Sequence, residues 1–271
     1  MTGRVSGKVA FITGAARGQG RAHAVRFASE GAIILALDIA DELPNVVYPS
    51  ASMEDLEETA RLVVQQGQEV LIHKGDVRNL ADMKAFVQQG VDQFGRLDVV
   101  VANAGICTPA TWDSVTPELF QDTIDVNLTG VWNTVMATAH HLIAAGGGSI
   151  ILTSSLAGKK PQPYMVHYTA SKHAVTGMAK AFAAELGQHR IRVNSLHPGA
   201  VNTTMGSEPM IKVLNELLDI YPQLATTATP FLPEWSVESE DIANAAVFLA
   251  SDDARFITAE NLSVDAGMQW F

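Results

Sequence analysis

The chain has 271 residues, 47% hydrophobic and 17% charged, enough to bury a substantial core and unlike a disordered composition. Its net charge of −11, from 29 acidic and 18 basic residues with no lysine or arginine block, argues against a nucleic-acid or anionic-membrane surface. The single cysteine, Cys107, admits no internal disulfide and fits a reducing cytoplasm; no apolar run approaches the ~18 residues of a membrane span or the form of a signal peptide.

Short β-rich runs alternate with longer helical patterns. Residues 9–13 (VAFIT) read as the first strand and 18–30 as the first helix. The turn between them, Thr13-Gly14-Ala15-Ala16-Arg17-Gly18-Gln19-Gly20, has the glycines that let backbone approach a pyrophosphate, at a helix N-terminus that offers free N–H groups. Strand two, 32–37, ends at Asp38, 18 residues beyond Gly20. A carboxylate there accepts hydrogen bonds from ribose hydroxyls and repels a 2′-phosphate, favouring NAD over NADP. Arg17 is a counter-signal, and Ile39 sides with Asp38.

Residues 39–52, with Pro44 and Pro49, form a long connection to a helix over 53–66. Strand 69–73, helix 80–94, strand 97–101, a long helix over 118–144 and strand 149–153 follow. A helix carrying Tyr168 runs to residue 188, then strand 191–195, a proline-interrupted connection over 200–237 with a short helix at 210–220, helix 241–250 and strand 261–264. Continuous apolar strands alternating with helices predict an α/β fold: one domain over 1–271, a Rossmann-type doubly wound parallel sheet of about seven strands flanked by helices. Connections as long as 39–52 and 200–237 are commonly binding loops or lids.

Tyr168 and Lys172 lie four residues apart on their helix and share a face. A free phenol ionises near ~10, and lowering that by about 3 units corresponds to roughly 4 kcal/mol; a close cation shifts it in that direction. A serine pair, Ser154 and Ser155, lies upstream. The histidines lack carboxylates or cysteines at ligand spacing, so no metal site is expected.

With these pieces in order, the chain resembles the short-chain dehydrogenase/reductase family from end to end. Residues 13–20 match its cofactor turn, Asp76-Val77 the pair at adenine, and Asn103-Ala104-Gly105 the motif closing strand four. Asn127 matches the family's helix asparagine and Tyr168 with Lys172 its signature pair. Ser155, 13 residues before the tyrosine, matches its serine, and Pro198-Gly199 with Val201 and Thr203 the segment that holds the nicotinamide. Ala102 departs from a frequent asparagine that is not catalytic. The resemblance implies that Tyr168 is the general base or acid and that Lys172 lowers its pKa and holds the cofactor ribose. Ser155 would hold the reacting oxygen, and Asn127 would anchor a water that relays the proton. It also implies a homotetramer paired through the helices at 118–144 and 168–188.

The stretch 13–23 and the insertion after Asp38 resemble the branch that includes carveol dehydrogenases, many of them classed as mycofactocin-dependent. There the insertion is thought to cover a bound nicotinamide cofactor that does not exchange freely, with an external redox carrier as partner. Met205, Met210, Phe231 and Trp235 suggest an apolar substrate pocket, with Cys107, Trp112 and Leu156 as a second wall. The substrate class expected is a small alicyclic or terpenoid alcohol and its ketone. His197 reads as structural, and Trp270-Phe271 as docking on an interface or near the site. Competing readings are a carbonyl or quinone reductase and a non-catalytic nucleotide-binding sensor. The set Ser155, Tyr168, Lys172 and Asn127 argues against the sensor.

Overall fold

The structure, a computed structural model, describes residues 3–270. Seven strands form one sheet: β1 (Val9–Thr13), β2 (Ile33–Asp38), β3 (Val70–Lys74), β4 (Val99–Ala102), β5 (Gly148–Thr153), β6 (Ile191–Pro198) and β7 (Asn261–Val264). All neighbours pair in parallel, in the order β3-β2-β1-β4-β5-β6-β7. Strand order reverses direction between β1 and β4, and ligands of open α/β sheets bind beyond the strand ends at such a point.

Helices cover both faces. Phe11, Leu35 and Leu37 pack on one side with Met83 and Phe86 of α3 (Leu80–Phe94), Val135 and Leu142 of α5 (Gly130–Ala144) and Val175 of α6 (Val166–Leu186). Their strand neighbours Ala10, Ile12, Ile34 and Ala36 face α1 (Gly18–Ser29), α2 (Met53–Gln65) and α8 (Ser239–Ala250) through Phe27, Leu56, Val63 and Ile242. This alternation explains why the strands read as unbroken apolar runs: both faces are buried.

Three departures from the sequence pattern bear on the site. The run expected as one helix over 118–144 is α4 (Pro117–Ile124), a π-helical turn at Asp125–Thr129 and then α5. The wider turn holds Asn127, whose amide is drawn to the backbone after β4, and such turns often mark functional positions. β4 begins at Val99 rather than residue 97, because Asp98 turns its carboxylate to the Val9 N–H at 2.9 Å and to Arg96. β6 runs on to Pro198 because β7 pairs with its last four residues. Between β6 and β7 lie α7 (Glu208–Ile220), a 3₁₀ segment and a bridge from Val201 to Val237 that closes the base of the excursion.

Among the described residues, no helix is long and apolar enough to cross a membrane. Asp98→Ala leaves the buried Val9 N–H without its acceptor, while the exposed Arg96 guanidinium turns to water. Denaturant unfolding is expected to show a loss of about 1–3 kcal/mol, and an unchanged midpoint would contradict this account of the β4 start.

Candidate active site

The glycine turn after β1 is fixed by its neighbours. Gly14 adopts φ +67°, and a Cβ there would meet Ala104 Cα at 2.8 Å; a Cβ on Gly20 would meet the Gly14 carbonyl oxygen at 1.9 Å. Only glycine permits this closeness. Asn103 Nδ2 donates to the Thr13 carbonyl at 3.0 Å, and the Asn103 and Ala104 N–H groups donate to Thr13 Oγ1 at 3.0 and 3.2 Å. The end of β4 thus clamps the end of β1 at the switch point.

An open cleft of ≈ 950 Å³ starts from this turn. Gly14, Arg17, Gly18, Gln19, Gly20, Asp38, Asp76, Val77, Asn103, Ala104, Gly105 and Thr203 line it. Asp38 Oδ2 accepts the Ala16 N–H at 2.9 Å and Oδ1 the Ala40 N–H at 3.0 Å, and each oxygen keeps a further lone pair. Gln19 Oε1 is buried with no partner, a spare acceptor at the cleft's glycine end. The Asp76 carboxylate is held by Arg78 at 2.6 Å, and the Val77 carbonyl accepts from Asn133 Nδ2 at 2.8 Å. Thr203 lies over the first turn of α1, its Cγ2 3.3 Å from where a Gly18 Cβ would stand. Pro198, Gly199 and Val201 lie at the base of the excursion rather than on the cleft wall: the Gly199 N–H donates to the Val264 carbonyl at 3.0 Å. These features fit a dinucleotide: a glycine cradle, a helix N-terminus, and a carboxylate at the second strand end.

Ser155, Tyr168 and Lys172 meet beside this cleft. Ser155 follows β5 in extended conformation, φ −172° and ψ 168°. Its Oγ accepts the Ala157 N–H at 3.1 Å, and its hydroxyl is close enough to the Tyr168 phenol to favour the ionised form. Ser154 points away: its Oγ donates to the Lys172 carbonyl at 2.9 Å. Tyr168 is half-buried. Burial pushes the phenol well above its ordinary value, Cys107 adding to the rise and the Ser155 hydroxyl opposing it.

Lys172 Nζ lies 5.5 Å from the centre of the Tyr168 ring and donates to the Thr153 carbonyl at 2.8 Å. Burial pushes the ammonium down to about 8, with Cys107 opposing. Both groups are desolvated, and the lysine's hydrogen bond goes to a backbone carbonyl instead of the phenol.

Asn127 is fully buried. Its Oδ1 accepts the Ile106 N–H at 2.8 Å, and its Nδ2 donates to the Ile106 carbonyl at 2.9 Å. The same Nδ2 lies 3.3 Å from Ser171 Oγ. What Asn127 fixes is the chain at Gly105-Ile106, the strip between it and Lys172: a Cβ on Gly105 would lie 3.3 Å from Asn127 Oδ1 and 3.5 Å from Lys172 Nζ.

The 39–52 insertion, expected as a cover for the cofactor, reaches this same place. Ile39, Leu43, Tyr48 and Ala51 form a wall of the cleft. Tyr48 is buried; its hydroxyl accepts the Cys107 N–H at 3.3 Å, and Arg17 lies 5.9 Å from its ring centre. Thr108 Oγ1 donates to the Asn45 carbonyl at 2.7 Å, and Asn45 Nδ2 donates to Asp122. The segment is thus latched across the cleft from the β2 half to the β4 half. One signal was available: Tyr48 is the only aromatic residue of the insertion.

The supposed substrate residues divide. Cys107, Met165 and Met210 form a small buried cluster, with Tyr168, Met205 and Leu214 packed on it. Leu156 is buried in the turn after Ser155. Trp112, Phe231 and Trp235 are exposed, Trp112 by 83%, so the structure does not gather them into a closed pocket wall. Trp270 is 75% exposed and makes no such docking within this chain; Phe271 lies outside the described residues. Among the described residues no cluster of His, Cys, Asp or Glu has the form of a metal site.

Comparisons with known proteins agree along the whole chain. A family model described as Enoyl-(Acyl carrier protein) reductase matches residues 14–269. The chain is 43% identical to (-)-trans-carveol dehydrogenase of Rhodococcus erythropolis, covering 97% of this chain and 98% of that protein. A crystal structure of a short chain dehydrogenase from Mycobacterium paratuberculosis bound to NAD superposes with a TM-score of 0.98 at 55% identity, covering 99% of this chain and 100% of the other. Carveol dehydrogenase from Mycobacterium avium, in complex with NAD, gives 0.93 at 47% identity, with 98% and 99% covered.

The buried lysine has a stability signature. Its folded value of about 8 lies below the ordinary 10.5, so the unfolded chain binds the extra proton between those values and stability rises with pH across that window. Lys172→Met removes this cost, worth roughly 3 kcal/mol at most. The variant's advantage over the parent is expected to shrink as the pH of a denaturant titration is raised from 7 to 10. A gap independent of pH would contradict the desolvation assignment.

Proposed function

This chain belongs to the short-chain dehydrogenase/reductase family, and on that premise we propose that it is an NAD-dependent dehydrogenase interconverting a small apolar secondary alcohol, alicyclic or terpenoid, and its ketone. The observation that carries this reading is the convergence of half-buried Ser155 and Tyr168 with buried Lys172 beside a glycine-lined cleft. NAD, when bound, supplies the hydride acceptor for oxidation and the hydride donor for reduction.

Gly14 to Gly20 would hold the pyrophosphate and Asp38 the adenosine ribose, with no cation at Ile39 to welcome a 2′-phosphate. Asp76 and Val77 would flank the adenine. Asn103 to Gly105 and Thr203 would frame the nicotinamide end, with Pro198, Gly199 and Val201 supporting the segment that carries Thr203. In oxidation Tyr168 accepts the hydroxyl proton of the alcohol; in reduction it returns one to the ketone oxygen. Ser155 holds the reacting oxygen, a donor of the kind whose loss costs about 2.7–4 kcal/mol of barrier. Lys172, fixed by Thr153, keeps its charge under the Tyr168 ring and favours the phenolate, while Asn127 holds the backbone that walls the lysine in. Cys107, Met165, Met205 and Met210 give the substrate an apolar, adaptable surface, which suits a terpenoid-like alcohol better than a charged metabolite.

The latched insertion supports a cofactor that stays bound and is recycled in place by an external redox carrier of the mycofactocin type. Trp132 on α5 and Phe120 on α4, both partly exposed, suit the homotetramer expected through the long helices.

Denaturing the purified protein and identifying the released nucleotide tests the cofactor. Bound NAD, with oxidation of a panel of cyclic alcohols needing an artificial acceptor rather than added NAD⁺, is the expected result; fast turnover on free NAD⁺ removes the retained-cofactor part. Tyr48→Ala breaks the latch to Cys107 and is expected to lower the nucleotide content recovered with the protein. Tyr168→Phe should retain nucleotide and lose at least about a hundredfold in turnover, and activity near that of the parent would sink the mechanism. Because burial raises the Tyr168 phenol, the oxidation rate should climb with pH on the alkaline side and the reduction rate should fall, measured as kcat/KM in both directions.

A further inference from the structure

Behind Ser155 lies a buried polar chain that the reaction as described does not use. His197, near the end of β6, is fully buried. Its Nδ1 lies 2.7 Å from the Ser155 carbonyl oxygen and its Nε2 2.8 Å from Ser195 Oγ. Ser195 Oγ in turn lies 2.7 Å from Asn261 Oδ1 on β7. The side chains of Asn194, Ser195 and His197 each find partners on the β7 side or at the serine loop, and all three are buried.

Burial drives His197 down to about 4; the charges of Lys159, Lys172 and His173 push the same way, and the Ser155 carbonyl opposes them. The ring is neutral at working pH and carries one N–H. A carbonyl only accepts, so that proton sits on Nδ1 and Nε2 is an acceptor. Ser195 must then spend its single hydroxyl proton on Nε2. The side-chain amide of Asn261 completes the chain by turning its N–H₂ toward Ser195 Oγ, since the two ends of an amide have the same shape.

The far end of this chain holds a peptide that matters. The Ser155 carbonyl accepts from His197 Nδ1 and from the Gly158 N–H at 2.9 Å. Two donors on one oxygen fix the peptide plane after Ser155, and that plane sets the direction of the Ser155 side chain toward Tyr168. We propose that His197 is a positioning residue: its Nδ1–H holds the Ser155 peptide so that the serine hydroxyl faces the Tyr168 hydroxyl and the reacting oxygen. This inference rests on the Ser155–Tyr168 chemistry proposed above, and it assigns to His197 a part that its buried place in a strand does not announce.

The test compares two replacements in the NAD-loaded enzyme, using the alcohol of the panel that is turned over fastest. His197→Leu keeps bulk and removes the donor; His197→Asn restores an N–H near the Nδ1 position. Misplacing a reacting group by about 1 Å can cost about a hundredfold, so His197→Leu is expected to lower kcat ten- to a hundredfold with KM within about twofold. His197→Asn should recover most of that loss. In a Ser155→Ala background, His197→Leu should add less than about a twofold further loss, because coupled residues are not additive.

An unchanged kcat in His197→Leu overturns the proposal. So does failure of the asparagine to do better, or the full loss again in the Ser155→Ala background. If His197→Leu does not fold, Ser195→Ala takes its place: it leaves the imidazole buried but frees its tautomer, and kcat must fall unless Ser155 is already alanine. Nitrogen-15 NMR of histidine-labelled protein adds a readout independent of turnover. A ring protonated at Nδ1 and silent from pH 5 to 8 is expected; an Nε2–H form or a titrating ring overturns the assignment. Should Tyr168→Phe keep full activity, the mechanism itself fails, an outcome these variants distinguish from a mere failure of His197.

Discussion

An ammonium group buried against a backbone carbonyl is the constraint around which this molecule is organised. Lys172 reaches from α6 to the Thr153 carbonyl at the end of β5, in a setting that strips water from it and from the Tyr168 phenol together. Burying a charge without a counter-charge is unfavourable unless polar groups take the place of water. Here the replacements are few and each comes from a different element. Thr153 offers its carbonyl, Asn127 holds the Gly105-Ile106 strip beside the amine, and Ser154 anchors the Lys172 main chain. The π-helical turn at Asp125–Thr129 brings Asn127 inward, so even this helical irregularity belongs to the lysine's surroundings.

The sheet makes that arrangement possible. Parallel strands end together on one side, and the reversal of order between β1 and β4 opens a cleft there. Thr13 and Asn103 tie the two lips, Asp98 ties the opposite end of the same strand pair, and the 39–52 segment crosses the gap through Asn45, Tyr48 and Thr108. Cys107 sits where these pieces meet. Its backbone N–H goes to Tyr48, and its thiol, pushed up to about 12 by burial, stays a neutral apolar surface next to the tyrosine.

What was legible in the sequence was what is local to it. A strand, a glycine turn and a helix follow one another in the chain, so their periodicities and the acid at Asp38 could be read directly. The Tyr168–Lys172 spacing likewise predicted a shared helix face. The rest depends on contacts far apart in sequence: Tyr48 meets Cys107, and His197 meets Ser155, through a fold that a linear pattern does not display. The Thr153 carbonyl that takes the Lys172 hydrogen bond also comes from a distant element. Trp112 and Trp235 looked like pocket walls by composition, and the backbone carries them to the surface.

On the proposed function, with substrate entering above Tyr168, the packing of Met165, Met205 and Met210 with Cys107 beside that tyrosine makes the protein its own rival for the space. An incoming molecule must displace thioether contacts, and gains only the difference between its fit and theirs. A rigid apolar ring exchanges one set of dispersion contacts for another and pays little desolvation, whereas a charged or strongly hydrated molecule gives up water and receives no compensating partner. Discrimination of this kind needs no side chain that recognises the right molecule. It operates by exclusion, and its stringency is set by how well the methionines pack when nothing else is there.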